Sequence, residues 1–150
     1  MKKRDKRLEY PHDGVIKVLE QKVTSDWKKI KHIGSDTGID LTLAKDDRMV
    51  VIEAEGEREK SKNVKGRVKM ALGAIIMDMN KEETGKVYRY CIALPDTEAF
   101  KECKIPARPR QQLGLNIIFV DCPTGLLKVL LPDGKDTKEA INFSSFDKLF

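Results

Sequence analysis

The sequence predicts one α/β domain: a mixed central sheet of about five strands with helices on both sides. Three observations predict it. Apolar residues run at strand period through 39–55, 87–94 and 115–131. Helical stripes alternate with those runs, at 11–22 and 63–79. The 150 residues are 40% hydrophobic and 35% charged, which suits one highly charged globular domain with a real core.

Residues 1–8 read as a basic arm. The first seven hold five basic residues and one acidic one, so most of the formal charge of +5 sits there and the body is nearly balanced. Net basicity therefore says little about nucleic acid, and local clusters have to carry that case. No apolar segment of a signal peptide follows the arm, and no run approaches the roughly 20 apolar residues of a membrane span. Cys91, Cys103 and Cys122 are odd in number and lack zinc-site spacing, as expected of free thiols in a cytoplasmic protein.

A first helix is expected from Pro11 to Lys22. Pro11 suits a first turn, Asp13 favours the helix N-terminus, and Val15, Ile16, Val18, Leu19 and Val23 form an apolar stripe. Trp27 to Ile33 is expected as a strand, with Trp27, Ile30 and Ile33 turned inward and Trp27 as a core anchor. Gly34 and Gly38, with Ser35 and Asp36, make the turn that follows. Neither His12 nor His32 stands in a ligand pattern.

The next stretch reads as a β-hairpin. Ile39, Leu41 and Leu43 alternate with Asp40 and Thr42, Met49 to Glu55 is a second extended run, and Lys45 to Arg48 supplies the turn. Pairing Ala44 with Met49 sets Leu43 against Val50, Thr42 against Val51, Leu41 against Ile52 and Asp40 against Glu53. One face then carries Ile39, Leu41, Leu43, Val50, Ile52 and Ala54; the other carries Asp40, Glu53 and Glu55. Directly opposed carboxylates destabilise a sheet. Two readings follow: a hard divalent cation turns the repulsion into coordination, or the acidic face is simply solvated.

Asn63 is placed to cap a helix running to about Met79, with Val64, Val68, Leu72, Ile75, Ile76 and Met79 as its buried stripe. Arg58, Lys62, Lys65 and Lys69 crowd this region, and the three lysines share one helical face. They are candidates for nucleic-acid phosphates, with a wet amphipathic face as the plain alternative. Val87–Leu94 is expected as a central strand and Thr97–Cys103 as a short helix. Residues 105–114, with two prolines, are expected as a loop whose Arg108 and Arg110 reach a phosphate or are plain surface arginines. Leu115–Val120 and Leu126–Leu131 complete the strands. Residues 132–150 form a C-terminal extension, whose Phe143, Phe146 and Phe150 either dock back or meet a second copy in a homodimer.

Gly38-Ile39-Asp40 followed by Glu53-Ala54-Glu55 resembles the PD-(D/E)xK nuclease superfamily, in its Glu-x-Glu variant. The order of elements over residues 9–131 is similar too: helix, hairpin, basic helix, then strand, helix and strand. The resemblance implies a restriction-endonuclease-like fold with the hairpin at the centre of the sheet. It implies a DNA endonuclease that uses Mg²⁺, with Mn²⁺ as substitute, and cleaves phosphodiesters by in-line attack of a metal-bound water. Asp40, Glu53 and the carbonyl of Ala54 would hold the metal. Glu55 stands where the family usually has lysine and would orient or deprotonate the water, with Lys65 or Lys69 supplying the missing positive charge. Glu9 or Glu20 on the first helix would assist metal binding.

The chain carries no P-loop, no GxGxxG, no GxSxG, no HExxH and no zinc-finger spacing. Three functions remain open: an active endonuclease, a lapsed nuclease-fold protein that still binds nucleic acid, and an assembly domain whose acidic hairpin is only surface.

Overall fold

In the hairpin, β2 (Leu41–Lys45) and β3 (Arg48–Ala54) pair antiparallel, with Leu43 opposite Val50, Thr42 opposite Val51 and Leu41 opposite Ile52. This is the register expected from the alternation and the turn. Asp46 takes a left-handed φ of 53° in the two-residue loop, a conformation that aspartate tolerates better than most residues. The structure is a computed structural model, and it describes residues 8–30, 39–58 and 63–150.

Five further strands join the hairpin: β1 (Lys28–Ile30), β4 (Val87–Pro95), β5 (Leu115–Asp121), β6 (Leu126–Leu130) and β7 (Ile141–Asn142). They lie in sequence order, β1 to β7, as one seven-stranded mixed sheet. The pairs β3–β4 and β4–β5 are parallel and the rest antiparallel. The expected mixed α/β domain is thus present, with seven strands among the described residues where about five were expected. The hairpin is not central: β4 is the middle strand, because each parallel crossover steps the chain onward in the same direction.

Apolar side chains cover both faces. On one face α1 (His12–Gln21) lays Val15, Val18 and Leu19 over Leu43, Val50, Ile52, Cys91 and Ile118. Trp27, Phe143 and Phe146 belong to the same cluster, so the C-terminal extension docks back on the domain. Trp27 stacks with Phe150 at 6.0 Å between ring centroids, as the core anchor its sequence context suggested. Lys28–Ile30 is exposed throughout, so Ile30 does not pack inward; Ile33 and the Gly34–Gly38 turn lie outside the described residues.

On the other face α2 (Val64–Asp78) packs Val68, Ala71 and Ile75 against Val51, Ile92 and Leu94. The side chain of Asn63 caps this helix by accepting from the N–H of Gly66 at 3.0 Å. Of its expected stripe, Val64, Val68, Leu72, Ile75 and Met79 face this cluster, but the buried strip extends to one side of it. Arg67 and Asp78 are buried, whereas Ile76 is exposed.

After the short α3 (Glu98–Lys101), residues 107–113 form α4 rather than a loop. Pro106 and Pro109 do not prevent it, because both sit at the helix start, where backbone N–H groups have no intrahelical partner.

Candidate active site

The acidic residues meet where β2 begins and β3 ends. Asp40 immediately precedes β2, and its Oδ2 accepts a hydrogen bond from the backbone N–H of Ala54 at 2.8 Å. Asp40, Thr42, Val51 and Glu53 share the sheet face that α2 covers. Thr42 and Val51 are nearly inaccessible and Glu55 is only 8% exposed. The solvated acidic surface is therefore not what the chain builds. These carboxylates sit at the margin of a core.

Burial has an electrostatic consequence. Desolvation first, then the charges of Asp40 and Glu55, push the Glu53 carboxyl up to about 9, aided by a hydrogen bond to Asp40 that requires the proton. Oε2 of Glu53 is buried with no hydrogen-bond partner among the described residues. Desolvation also raises the Glu55 carboxyl, against the opposing pull of Arg58, Arg67 and His12.

Two further side chains complete the site, and neither was assigned a role from the sequence. His12, the first residue of α1, places Nε2 3.2 Å from Oδ1 of Asp40. Backbone contact brings it there. The N–H of Glu57 donates to the carbonyl of Tyr10 at 2.7 Å, and the N–H of Tyr10 donates to Oε1 of Glu57 at 2.8 Å. Gly56 lies so close to Pro11 and His12 that any Cβ there would overlap their backbone. Of the acids expected to assist from this helix, Glu20 is paired with Lys29 at 2.9 Å and Glu9 is exposed.

Arg67 is the second. It is 5% exposed, donates from Nη1 to the carbonyl of Gly56, and holds its guanidinium 5.6 Å from the Phe100 ring centroid. A charged residue inside the apolar stripe of a helix was readable from the sequence as a sign of a buried role.

The basic candidates scatter. Arg58 is exposed and close enough to lower the Glu55 carboxyl. Lys65 and Lys69 are exposed. Each stands two residues from Arg67, about 200° around the helix at 3.6 residues per turn, so α2 points them away from the acids. Lys69 is thus not positioned to replace the missing lysine; Arg67 is the cation on that side. Lys62 lies outside the described residues. Arg108 is exposed on α4. Arg110 corrects an expectation: it is 1% exposed, and its guanidinium donates to the carbonyls of Ile105, Leu131 and Gly134. Buried and fastened to three carbonyls of the C-terminal half, it is not presented to a phosphate.

Among the described residues no three His, Cys, Asp or Glu side chains form a ready metal-holding group. The fit to a divalent cation rests on Asp40 and Glu53. They are neighbouring carboxylates with one buried oxygen, Oε2 of Glu53, unpartnered among the described residues, and hard oxygen donors suit Mg²⁺, which often takes only one or two protein carboxylates. Ala54 lies directly against them through its N–H bond to Asp40.

Among the described residues no helix is long and apolar enough to cross a membrane. No family model matches the chain, and no curated protein matches it. Two solved structures are similar in fold. An XisH family protein from Nostoc punctiforme PCC 73102 aligns with a TM-score of 0.50 at 15% identity, over 78% of this chain and 94% of its own. An fdxN element excision controlling factor protein from Anabaena variabilis aligns with a TM-score of 0.50 at 18% identity, over the same shares of the two chains. At these identities the likeness extends to the fold: this chain is an α/β domain built like those of XisH family proteins.

Proposed function

We propose that the chain is a metal-dependent deoxyribonuclease of the PD-(D/E)xK type, hydrolysing phosphodiester bonds. One observation carries the reading: Asp40 and Glu53 form a half-buried carboxylate pair at the open end of the hairpin, with Oε2 of Glu53 buried and without a partner among the described residues. Such a pair is costly without use: ionising both sets like charges together, and keeping Glu53 protonated still leaves its buried Oε2 unpartnered. A divalent cation held by Asp40 and Glu53 would relieve that cost and supply Lewis-acid polarisation of a phosphoryl oxygen and of water.

The chain's own residues have definite tasks in this reading. His12 donates to or orients Asp40, and the N–H of Ala54 fixes its other oxygen. Glu55, its carboxyl raised by burial, is a better base near neutral pH than an exposed glutamate. It would take the proton of the attacking water as the new P–O bond forms and the bond to the leaving oxygen breaks, that oxygen gaining a proton from solvent. Arg58 beside Glu55 would meet the phosphate. Arg67 is a positioning residue, tying α2 to Gly56 and so to the His12 segment. One protein of similar fold is an fdxN element excision controlling factor protein, which is compatible with a DNA substrate and does not carry the reading.

A second reading is a lapsed nuclease that only binds nucleic acid. The glutamate at position 55 favours it, because it cannot stabilise negative charge as the usual lysine does. Incubation of wild type with duplex, single-stranded and branched DNA in Mg²⁺ separates the two. Cleavage that chelation stops supports the first, and binding without cleavage supports the second.

A further inference from the structure

We infer that a cleft beside α2 binds one strand of nucleic acid by its backbone. The inference rests on the nucleic-acid half of the proposed function and not on cleavage. The cleft encloses about 340 Å³ between α2 and the segment that joins α3 to α4. Lys65, Lys69 and Lys104 line it, against a single carboxylate, Glu102.

What sets these lysines apart is that they line one cleft without an ion-pair partner. Lys29, Lys45, Lys86 and Lys101 each pair with a carboxylate at 2.7–2.9 Å. Among the described residues Lys65, Lys69 and Lys104 have no such partner. Three uncompensated ammonium groups around one concavity are complementary to a polyanion. Lys65 and Lys69 are one turn apart, about 6 Å along the axis, of the order of the step between neighbouring phosphates on one strand. Lys104 supplies the opposite wall.

The floor is apolar: Val68 and Leu72 from α2, Ile105 and Pro106 from the facing segment. It can cover a sugar or the face of a base while the lysines hold the phosphates. The volume is that of a small-ligand pocket, enough to seat one strand's backbone and a base. Because Lys65 and Lys69 point away from Asp40 and Glu53, the cleft would hold a strand beside the acidic site rather than in it.

The chain contains its own reporters. Cys103 lines the cleft and is partly exposed, whereas Cys122 stands near Asp121 and Glu57, away from it. The test uses the full chain in EDTA, so that nothing is cleaved. A short single-stranded oligonucleotide, and the same sequence as duplex, are titrated at several salt concentrations. Wild type and Lys65→Ala, Lys69→Ala and Lys104→Ala are compared, and maleimide labelling of each cysteine is followed by mass spectrometry. The single strand should bind more tightly than the duplex, with log K falling against log salt at a slope of about −2 for three phosphates on a single strand. Each alanine should take about 0.7 off that slope. The oligonucleotide should slow labelling of Cys103 and leave Cys122 unchanged. If the strand binds but the three variants keep wild-type affinity and slope, the cleft is overturned and the nucleic-acid reading stands. If neither oligonucleotide binds, both fall. Protection of Cys103 by an acidic peptide but not by nucleic acid would also overturn the proposal.

Discussion

Nε2 of His12 stands 3.2 Å from Oδ1 of Asp40, joining the first turn of α1 to the start of the hairpin. That contact is held by backbone packing, since Gly56 fits under Pro11 and His12 only because it has no side chain. Gly56→Ala should therefore force α1 away from β3. The expected result is a loss of about 2 kcal/mol or more of stability, as for other overpacked sites, together with loss of any metal-induced thermal shift. Urea unfolding and thermal melts with and without Mn²⁺ measure both. An unaltered variant would show that the contact is not what holds His12 in place.

Glu53 sets a pH dependence. Its folded pKa is raised from 4.5 to about 9, so the native state holds this proton more tightly than the unfolded chain does. The stability it contributes is fully present below about 4.5 and is lost as pH rises toward 9. Glu53→Gln should therefore melt higher than wild type in EDTA near the upper end of that window, by a few degrees, and match it more closely at the lower end. Equal melting curves across the window would contradict a buried, protonated Glu53.

Mn²⁺ or Mg²⁺ should raise the melting temperature of wild type by mass action. Asp40→Asn and Glu53→Gln should each remove that gain, because each takes away one of the two anionic oxygen donors. A metal-dependent shift that survives in both variants would place the cation elsewhere.

Arg110 and Arg108 should behave as opposites. Arg110→Ala leaves buried carbonyls at Ile105, Leu131 and Gly134 without their donor and should cost about 3 kcal/mol. Arg108→Ala, at an exposed position, should cost under about 0.5 kcal/mol. Chemical denaturation of the two variants decides it. A stable Arg110→Ala protein would refute its role in fastening the C-terminal segment.

Much of the hairpin was legible because period two and a two-residue turn leave one register that buries Leu41, Leu43, Val50 and Ile52 together. The environment of its second face was not, since only the packing of α2 decides that Thr42 and Val51 are dry. The stripe of α2 was largely legible, since Val64, Val68, Leu72, Ile75 and Met79 do face the core, but apolar identity favoured Ile76, which is exposed, over the buried Arg67 and Asp78. Had Arg67 been read as lying within the stripe, Lys69 would have fallen on the far side. The helix at 107–113 was hidden by prolines that tolerate a first turn. His12 had no local signal, as its place depends on Gly56, forty-four positions along the chain.

The central claim is that Asp40, Glu53 and Glu55 form a working hydrolytic site. The most direct test is plasmid nicking in Mg²⁺ or Mn²⁺ by wild type, Glu55→Ala, Glu55→Lys and Asp40→Asn, each checked for folding. Wild type should nick the plasmid, Glu55→Ala should lose most of that activity, Glu55→Lys should retain part of it by restoring a cation near the phosphate, and Asp40→Asn should be inactive. Nicking by wild type no greater than by Asp40→Asn would contradict the claim and leave a protein that binds nucleic acid without cutting it.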